Sequence, residues 1–155
     1  MELYRITQVQ FSEDLSGNGS RLFGGRWNSE GYFALYTSLT RSMALLETLA
    51  HTPAKMLDIR NYQLITLSVP DNASTERILL SSLPKFWDAP DTRSFTKKLG
   101  DKFLSENLKL MLEVPCVLMP EEVNYVLNPL HKEMSKVKII NQRRIYFDKR
   151  MEENI

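Results

Sequence analysis

Leu22-Phe23-Gly24-Gly25-Arg26-Trp27-Asn28, then Leu35-Tyr36-Thr37-Ser38, then Glu47 on the next predicted element, form the stretch from which the rest of the chain can be read. Two adjacent glycines let backbone approach a ligand closely or take a positive φ. The three residues after them supply a planar cation, an aromatic face and an amide that both donates and accepts. The set suits the phosphates and ribose of a nucleotide. The same residues also make an ordinary tight turn, with Trp27 packed as a core aromatic and Asn28 bonded to its own backbone. The surrounding sequence has to decide between the two.

On the C-terminal side, Gly31 and residues 32–37 read as a turn and a compact aromatic strand, buried on both faces. The period then changes. Residues 40–51 are a helix by propensity, with Thr40 as N-cap and Pro53 just past the end. On it Glu47 shares a face with Met43, Ala44, Ala50 and His51, three and four residues away. A carboxylate among small and apolar neighbours is costly to bury without partners, which points to function. The plain alternative is a half-solvated face on which Glu47 and His51 are an i, i+4 pair worth a few tenths of a kcal/mol. A zinc helix is excluded, since the second histidine of such a motif is absent.

Working outward, residues 4–9 form a short strand, 11–25 a loop rich in Ser, Gly, Asn and Asp, and 62–69 a strand. Residues 84–91 read as a loop. Residues 94–112 read as a helix with Phe95, Leu99 and Phe103 at four-residue steps and Gly100 as a weak point. The last third returns to β in short runs at 114–119, 125–127, 137–140 and 144–147. With no repeat and no low-complexity segment, residues 1–155 are expected to form a single α+β domain.

Composition narrows the function. The chain has 155 residues, 43% hydrophobic and 25% charged, enough for one real core. Lys plus Arg is 20 against Asp plus Glu at 19, so there is no global field to collect nucleic acid or an anionic membrane. The start has neither a basic n-region nor an apolar h-region, and no apolar run approaches a membrane span, so a cytoplasmic location is expected. The single cysteine, Cys116, excludes an internal disulfide and a thiolate metal cluster.

A second constellation runs from Val114-Pro115-Cys116 through Asn124 to Asn128-Pro129-Leu130-His131. Cys116 reads either as a buried, inert thiol or as a nucleophile with His51 or His131 as its base. Asn128-Pro129 reads as a turn, and His131 as a surface residue. The basic tail, Lys136 to Arg150, alternates with Val137, Ile139, Ile145 and Phe147, and therefore reads as the solvated face of edge strands rather than a nucleic-acid patch.

Taken in order, these motifs resemble the RES domain family. The resemblance begins with Tyr4-Arg5-Ile6, Gly24-Gly25-Arg26-Trp27-Asn28, Gly31 with Leu35-Tyr36-Thr37-Ser38, and Ala44-Leu45-Leu46-Glu47 with His51. It continues with Leu83-Pro84, Trp87-Asp88, Gly100-Asp101, Val114-Pro115, Pro120-Glu121, Asn128-Pro129 with His131, and Phe147-Asp148-Lys149-Arg150. It covers nearly the whole chain. The resemblance implies a fold like that of the ADP-ribosyltransferases, with mixed or antiparallel sheets and a few helices. It implies a bacterial toxin that splits the nicotinamide–ribose bond of NAD⁺ with phosphate or water as acceptor, neutralised by an Xre-type antitoxin. Some relatives instead transfer the ADP-ribosyl group to a protein.

The resemblance also implies roles. Glu47 would stabilise the oxocarbenium-like transition state, as carboxylates do in glycosidases. Arg26 and Arg5 would clamp the pyrophosphate, and Tyr36 would stack on or orient the nicotinamide. Gly25 would let the loop approach NAD⁺, Asn28 and Ser38 would bond ribose hydroxyls or fix the loop, and Trp27 would serve ligand or core. Cys116 stands where the family usually has serine, and Lys132 where a proline commonly follows the histidine. No metal is expected, and no cofactor beyond the consumed NAD⁺. The expected partners are NAD⁺, phosphate and the antitoxin, without membrane or direct nucleic-acid binding, and with homodimer formation left open. A catalytically degenerate binding module and a cysteine hydrolase using Cys116 are the rival classes.

Overall fold

Alternation along the strands gives the sheet two packed faces. The computed structural model describes residues 1–57 and 61–153. Its strands are β1 (Glu2–Gln8), β2 (Leu35–Ser38), β3 (Tyr62–Ser68), β4 (Thr75–Arg77), β5 (Met111–Pro115), β6 (Val123–Leu127) and β7 (Lys138–Ile145). They form one sheet in the order β4-β5-β6-β2-β1-β3-β7, antiparallel throughout except for β4 beside β5. Side chains directly opposite one another across strands share a face. Leu35, Leu127 and Met111 are such partners and join Leu3, Ile65 and Leu67 in one core. Leu112, Val126 and Tyr36 are the next set and belong to the other face.

The helices are α1 (Asn18–Phe23), α2 (Arg41–His51), α3 (Ala54–Leu57), α4 (Arg93–Glu106) and, at the C-terminal end, α5 (Lys149–Glu153), of which α2 and α4 pack on the second face through Ala44 and through Phe103 and Leu104. The α2 start follows the sequence reading: Thr40 is extended, and its hydroxyl accepts the Met43 N–H at 3.1 Å. Met43 and Ala44 are buried, and Ala44 packs with Tyr4 and Leu64. On α4 the buried residues are Thr96, Gly100, Phe103 and Leu104, one stripe at helical spacing. No helix among the described residues is long and apolar enough to cross a membrane.

Several boundaries differ from the sequence reading for identifiable reasons. The helix expected to reach residue 112 stops at Glu106, where Asn107 takes a left-handed conformation (φ 53°) and its N–H caps the Phe103 carbonyl. Residues 110–112 then pass into the sheet, where Leu110, Met111 and Leu112 are 0–3% exposed. A doubly buried strand and a buried helix face look alike over so few residues. The loop expected over 11–25 contains α1, closed by Gly24 at φ 70°. The two short strands expected at 137–140 and 144–147 are one strand, β7, which crosses Asn141 with a register shift opposite Thr66 and Leu67. The three-residue edge strand β4 has no counterpart in the sequence reading.

One irregularity positions the functional site. β1 pairs with β3 at seven positions but with β2 only at Tyr4 and Ser38. Beyond that pair the two strands part. A cleft of about 230 Å³ opens there, lined by Arg5, Ile6, Ala34, Leu35 and Tyr36 from the sheet side and by Asp14 and residues 17–20 from the α1 side.

Candidate active site

Residues 24–29 bring the opening motif to the rim of the sheet. The Gly25 N–H bonds the Asn28 carbonyl at 2.9 Å, closing a tight turn. A Cβ on Gly25 would lie 2.6 Å from the Tyr36 hydroxyl and 2.9 Å from Asn28 Oδ1, so only glycine fits there. The Tyr36 hydroxyl donates to Asn28 Oδ1 at 2.7 Å and accepts the Trp27 N–H at 2.9 Å. Asn28 is fully buried, and its Nδ2 group donates to the carbonyls of Ser20, Ser29 and Tyr32. Burial drives the Tyr36 phenol well above its ordinary pKa. It stays a neutral donor that locks the loop to β2.

Helix α4 holds the loop from the other side. The Thr96 hydroxyl donates to the Arg26 carbonyl at 2.7 Å, and Asp101 accepts both the N–H and the hydroxyl of Ser29, at 2.7 and 2.6 Å. Gly100 lies between them against the Trp27 backbone. The Trp27 ring, 3% exposed, packs on Trp87 with ring centroids 6.1 Å apart, inside the cluster of Phe103, Leu112 and Val126. The structure puts this side chain in the core. The Arg26 guanidinium donates to the Trp87 and Asp88 carbonyls at 3.2 and 3.0 Å, tying residues 84–91 to the loop. Burial, with Arg93 next, lowers its pKa, while Asp88, Glu47 and Tyr36 favour its charge. An arginine stays protonated under such a shift.

Glu47 projects from α2 toward β6. Its Oε1 accepts from Asn124 Nδ2 at 2.7 Å and from the Cys116 thiol at 3.3 Å, while Oε2 lies 3.6 Å from His51 Nδ1. The side chain keeps 26% of its surface exposed. His51 Nδ1 is also 2.8 Å from the Glu47 carbonyl, within its own helix. Cys116 is completely buried, with its sulfur 3.4 Å from Met43 Sδ. Desolvation raises its pKa, and the charge of Glu47 and its hydrogen bond push the same way. The thiol is therefore a neutral donor to the carboxylate.

Histidine does not reach that thiol: among the described residues Cys116 Sγ has Met43 Sδ and Glu47 Oε1 as side-chain partners, and the backbone of Leu118 and Met119 also bonds the sulfur. His131, expected on the surface, is buried at 6% exposure, where its Nδ1 accepts the Glu133 N–H at 3.2 Å. The proline-bounded turn before it folds inward because Asn128, itself 1% exposed, bonds the Leu104 carbonyl and the Asn107 side chain.

Arg5 sits on β1 at the cleft, where one guanidinium nitrogen donates to the Asp14 carbonyl at 2.7 Å. Burial lowers its pKa, and Asp14 acts in the opposite sense. Ser38 is 4% exposed and stands in register between Tyr4 and Asn124, in a row that continues to Val114. Three groupings result. Glu47, Cys116 and Asn124 form one; Gly25, Trp27, Asn28 and Tyr36 form the second; Arg5 and Tyr36 share the cleft. Thr96 has no place in the sequence reading, and Asp101 and Asn124 appear there as motif members without these roles. For Thr96 and Asp101 the signal lay in small and polar residues on a helix face that the pattern makes a core face. Among the described residues, no group of three or more His, Cys, Asp or Glu side chains could hold a metal ion.

The fold is shared with a solved structure. A chain in the crystal structure of the M. tuberculosis MbcT–MbcA toxin–antitoxin complex has the same fold, with a TM-score of 0.76 over 99% of this chain and 87% of that one at 21% identity. The sequence profile of the RES domain matches residues 2–148, and the chain belongs to that family. It is 34% identical over 142 residues to the "Prs ADP-ribosylating toxin" of Sphingobium sp. (strain YBL2), covering 90% of this chain and 88% of that protein. It is 33% identical to the "Toxin Res" of Photorhabdus laumondii, covering 88% and 86% respectively.

Proposed function

We propose that this protein is the toxin of a toxin–antitoxin pair and acts by splitting the nicotinamide–ribose bond of NAD⁺. The observation that carries the reading is the Glu47 carboxylate, fixed at Oε1 by two donors, partly exposed, and near enough to Arg26 to favour its charge. Family membership and the names of the relatives support it.

In the proposed reaction the C1′–N bond breaks and nicotinamide leaves neutral with the bonding electron pair, so that positive charge develops on the ribose. Glu47 faces that charge as a preorganised anion. An oxygen of phosphate or water then bonds to C1′ and releases its proton to solvent. Arg5 takes the pyrophosphate in the cleft, and Arg26 adds positive potential from the rim while its guanidinium holds residues 84–91. Tyr36 forms the wall against the nicotinamide ring. Gly25, Asn28 and Ser38 give the site its shape, and Cys116 reaches the chemistry through Glu47. In this scheme the opening between β1 and β2 is an NAD⁺ cleft like that of ADP-ribosyltransferases.

Transfer of the ADP-ribosyl group to a protein is the second reading, favoured by the name of the Sphingobium relative. Purified protein incubated with NAD⁺, with and without phosphate and a cytosolic protein extract, separates the outcomes by mass spectrometry. ADP-ribose 1″-phosphate marks phosphorolysis, ADP-ribose marks hydrolysis, and a mass increment on a protein marks transfer. Intact NAD⁺ in all samples overturns the proposal. The antitoxin is the proposed protein partner, on the analogy of the MbcT–MbcA complex.

A further inference from the structure

Asn124 is bound to the carboxylate from a different part of the chain. It lies on β6, 77 residues from Glu47, and its Nδ2 group makes the shorter of the two hydrogen bonds to Oε1. The orientation of the amide is dictated by that contact: turned over, its oxygen would face a carboxylate oxygen. With Nδ2 committed to Glu47, Asn124 Oδ1 is buried and has no hydrogen-bond partner among the described residues. A buried acceptor left unmade is unfavourable, and folds keep few of them. An apolar residue would fill this strand position, between Val114 and Ser38, without that penalty. The arrangement is therefore a poor device for stability, and a good one for holding a carboxylate.

The consequence is a division between the two carboxylate oxygens. Asn124 and Cys116 both donate to Oε1, from β6 and from the segment after β5, while Oε2 has His51 Nδ1 at 3.6 Å. The carboxylate is fixed in rotation about its last side-chain bond, so that Oε2 faces a constant direction. We infer that Asn124 is the positioning residue of the site, setting the angle at which Glu47 presents Oε2 to the developing charge on the ribose. The inference rests on the NAD⁺ reading for its effect on turnover, but not for the clamp itself.

The single cysteine makes the clamp observable without any substrate. Its S–H stretching band comes from one thiol whose two acceptors are Glu47 Oε1 at 3.3 Å and Met43 Sδ at 3.4 Å, so loss of the stronger, charged acceptor shifts it. The experiment compares wild type, Asn124→Ala and Asn124→Asp, each first shown to be folded by circular dichroism, in two measurements: the S–H band by Raman spectroscopy, and steady-state NAD⁺ turnover. In Asn124→Ala the freed carboxylate should leave the thiol and move the band to higher wavenumber. kcat should fall about tenfold or more while KM stays within about twofold. Asn124→Asp sets a second carboxylate against the first and should lose more turnover than Asn124→Ala. A band at the wild-type position in Asn124→Ala, or a loss confined to KM, overturns the inference. If wild-type protein leaves NAD⁺ intact while the band still shifts, the functional reading falls and the clamp stands.

Discussion

The Trp27 carbonyl lies so close to Gly100 of α4 that a Cβ on that glycine would stand 1.7 Å from the oxygen. The contact is backbone against backbone, so no side chain can move aside. Gly100→Ala should push α4 off the 24–29 loop and break the Thr96–Arg26 and Asp101–Ser29 hydrogen bonds with it. The expected loss is about 3 kcal/mol in urea unfolding, the upper end for overpacking. Gly19→Ala is the control. Nothing lies within 4 Å of a Cβ at that position in α1, and it should gain up to about 0.5 kcal/mol.

The hydroxyl of Tyr36 closes the loop through two hydrogen bonds, so Tyr36→Phe leaves the Trp27 N–H and Asn28 Oδ1 without it. Unfolding measurements should show a loss of about 1–3 kcal/mol. Stability equal to wild type would mean that water replaces the phenol.

Arg26→Lys keeps the charge but loses the fork that spans the Trp87 and Asp88 carbonyls. Limited proteolysis should then cut within residues 84–91 sooner than in wild type. NAD⁺ affinity measured by calorimetry should fall roughly tenfold, or about 1.4 kcal/mol. Unchanged affinity would assign Arg26 to the loop alone.

Cys116 has its pKa raised in the folded protein, so the unfolded chain loses the thiol proton first. Its contribution to stability is fully present below the ordinary thiol pKa and is lost as pH rises through that value toward the raised one. Wild type should therefore lose stability across that window more steeply than Cys116→Ser, with both compared by urea unfolding at stepped pH. Iodoacetamide should label the native thiol slowly at neutral pH. Because a hydroxyl is the better donor to Glu47, Cys116→Ser should retain or raise NAD⁺ turnover. Complete loss of activity in Cys116→Ala would instead favour the cysteine hydrolase.

The parts of the fold that local chemistry controls were legible in the sequence. Thr40 capping α2 and the apolar alternation of β3 need only their own neighbours. What escaped depends on distant partners. Leu110 to Leu112 follow a helical period but enter the sheet, and β7 continues through Asn141 because β3 offers it a ladder. At the site, the loop and Glu47 were legible as chemistry. Their supports were not: the buried faces of Thr96, Asp101 and Asn124 are polar for reasons visible only where α4 and β6 meet the loop and α2. His131 looked like a surface residue because the burial of Asn128 beneath it has no sequence signature.

The central claim is that the Glu47 carboxylate carries the chemistry, and one substitution tests it. Glu47→Gln keeps the shape and leaves an oxygen to accept from Asn124, but removes the negative charge. Nicotinamide release from NAD⁺, followed by mass spectrometry, should fall by roughly 10²-fold or more with the circular dichroism spectrum unchanged. Turnover equal to wild type in that folded variant would contradict the account.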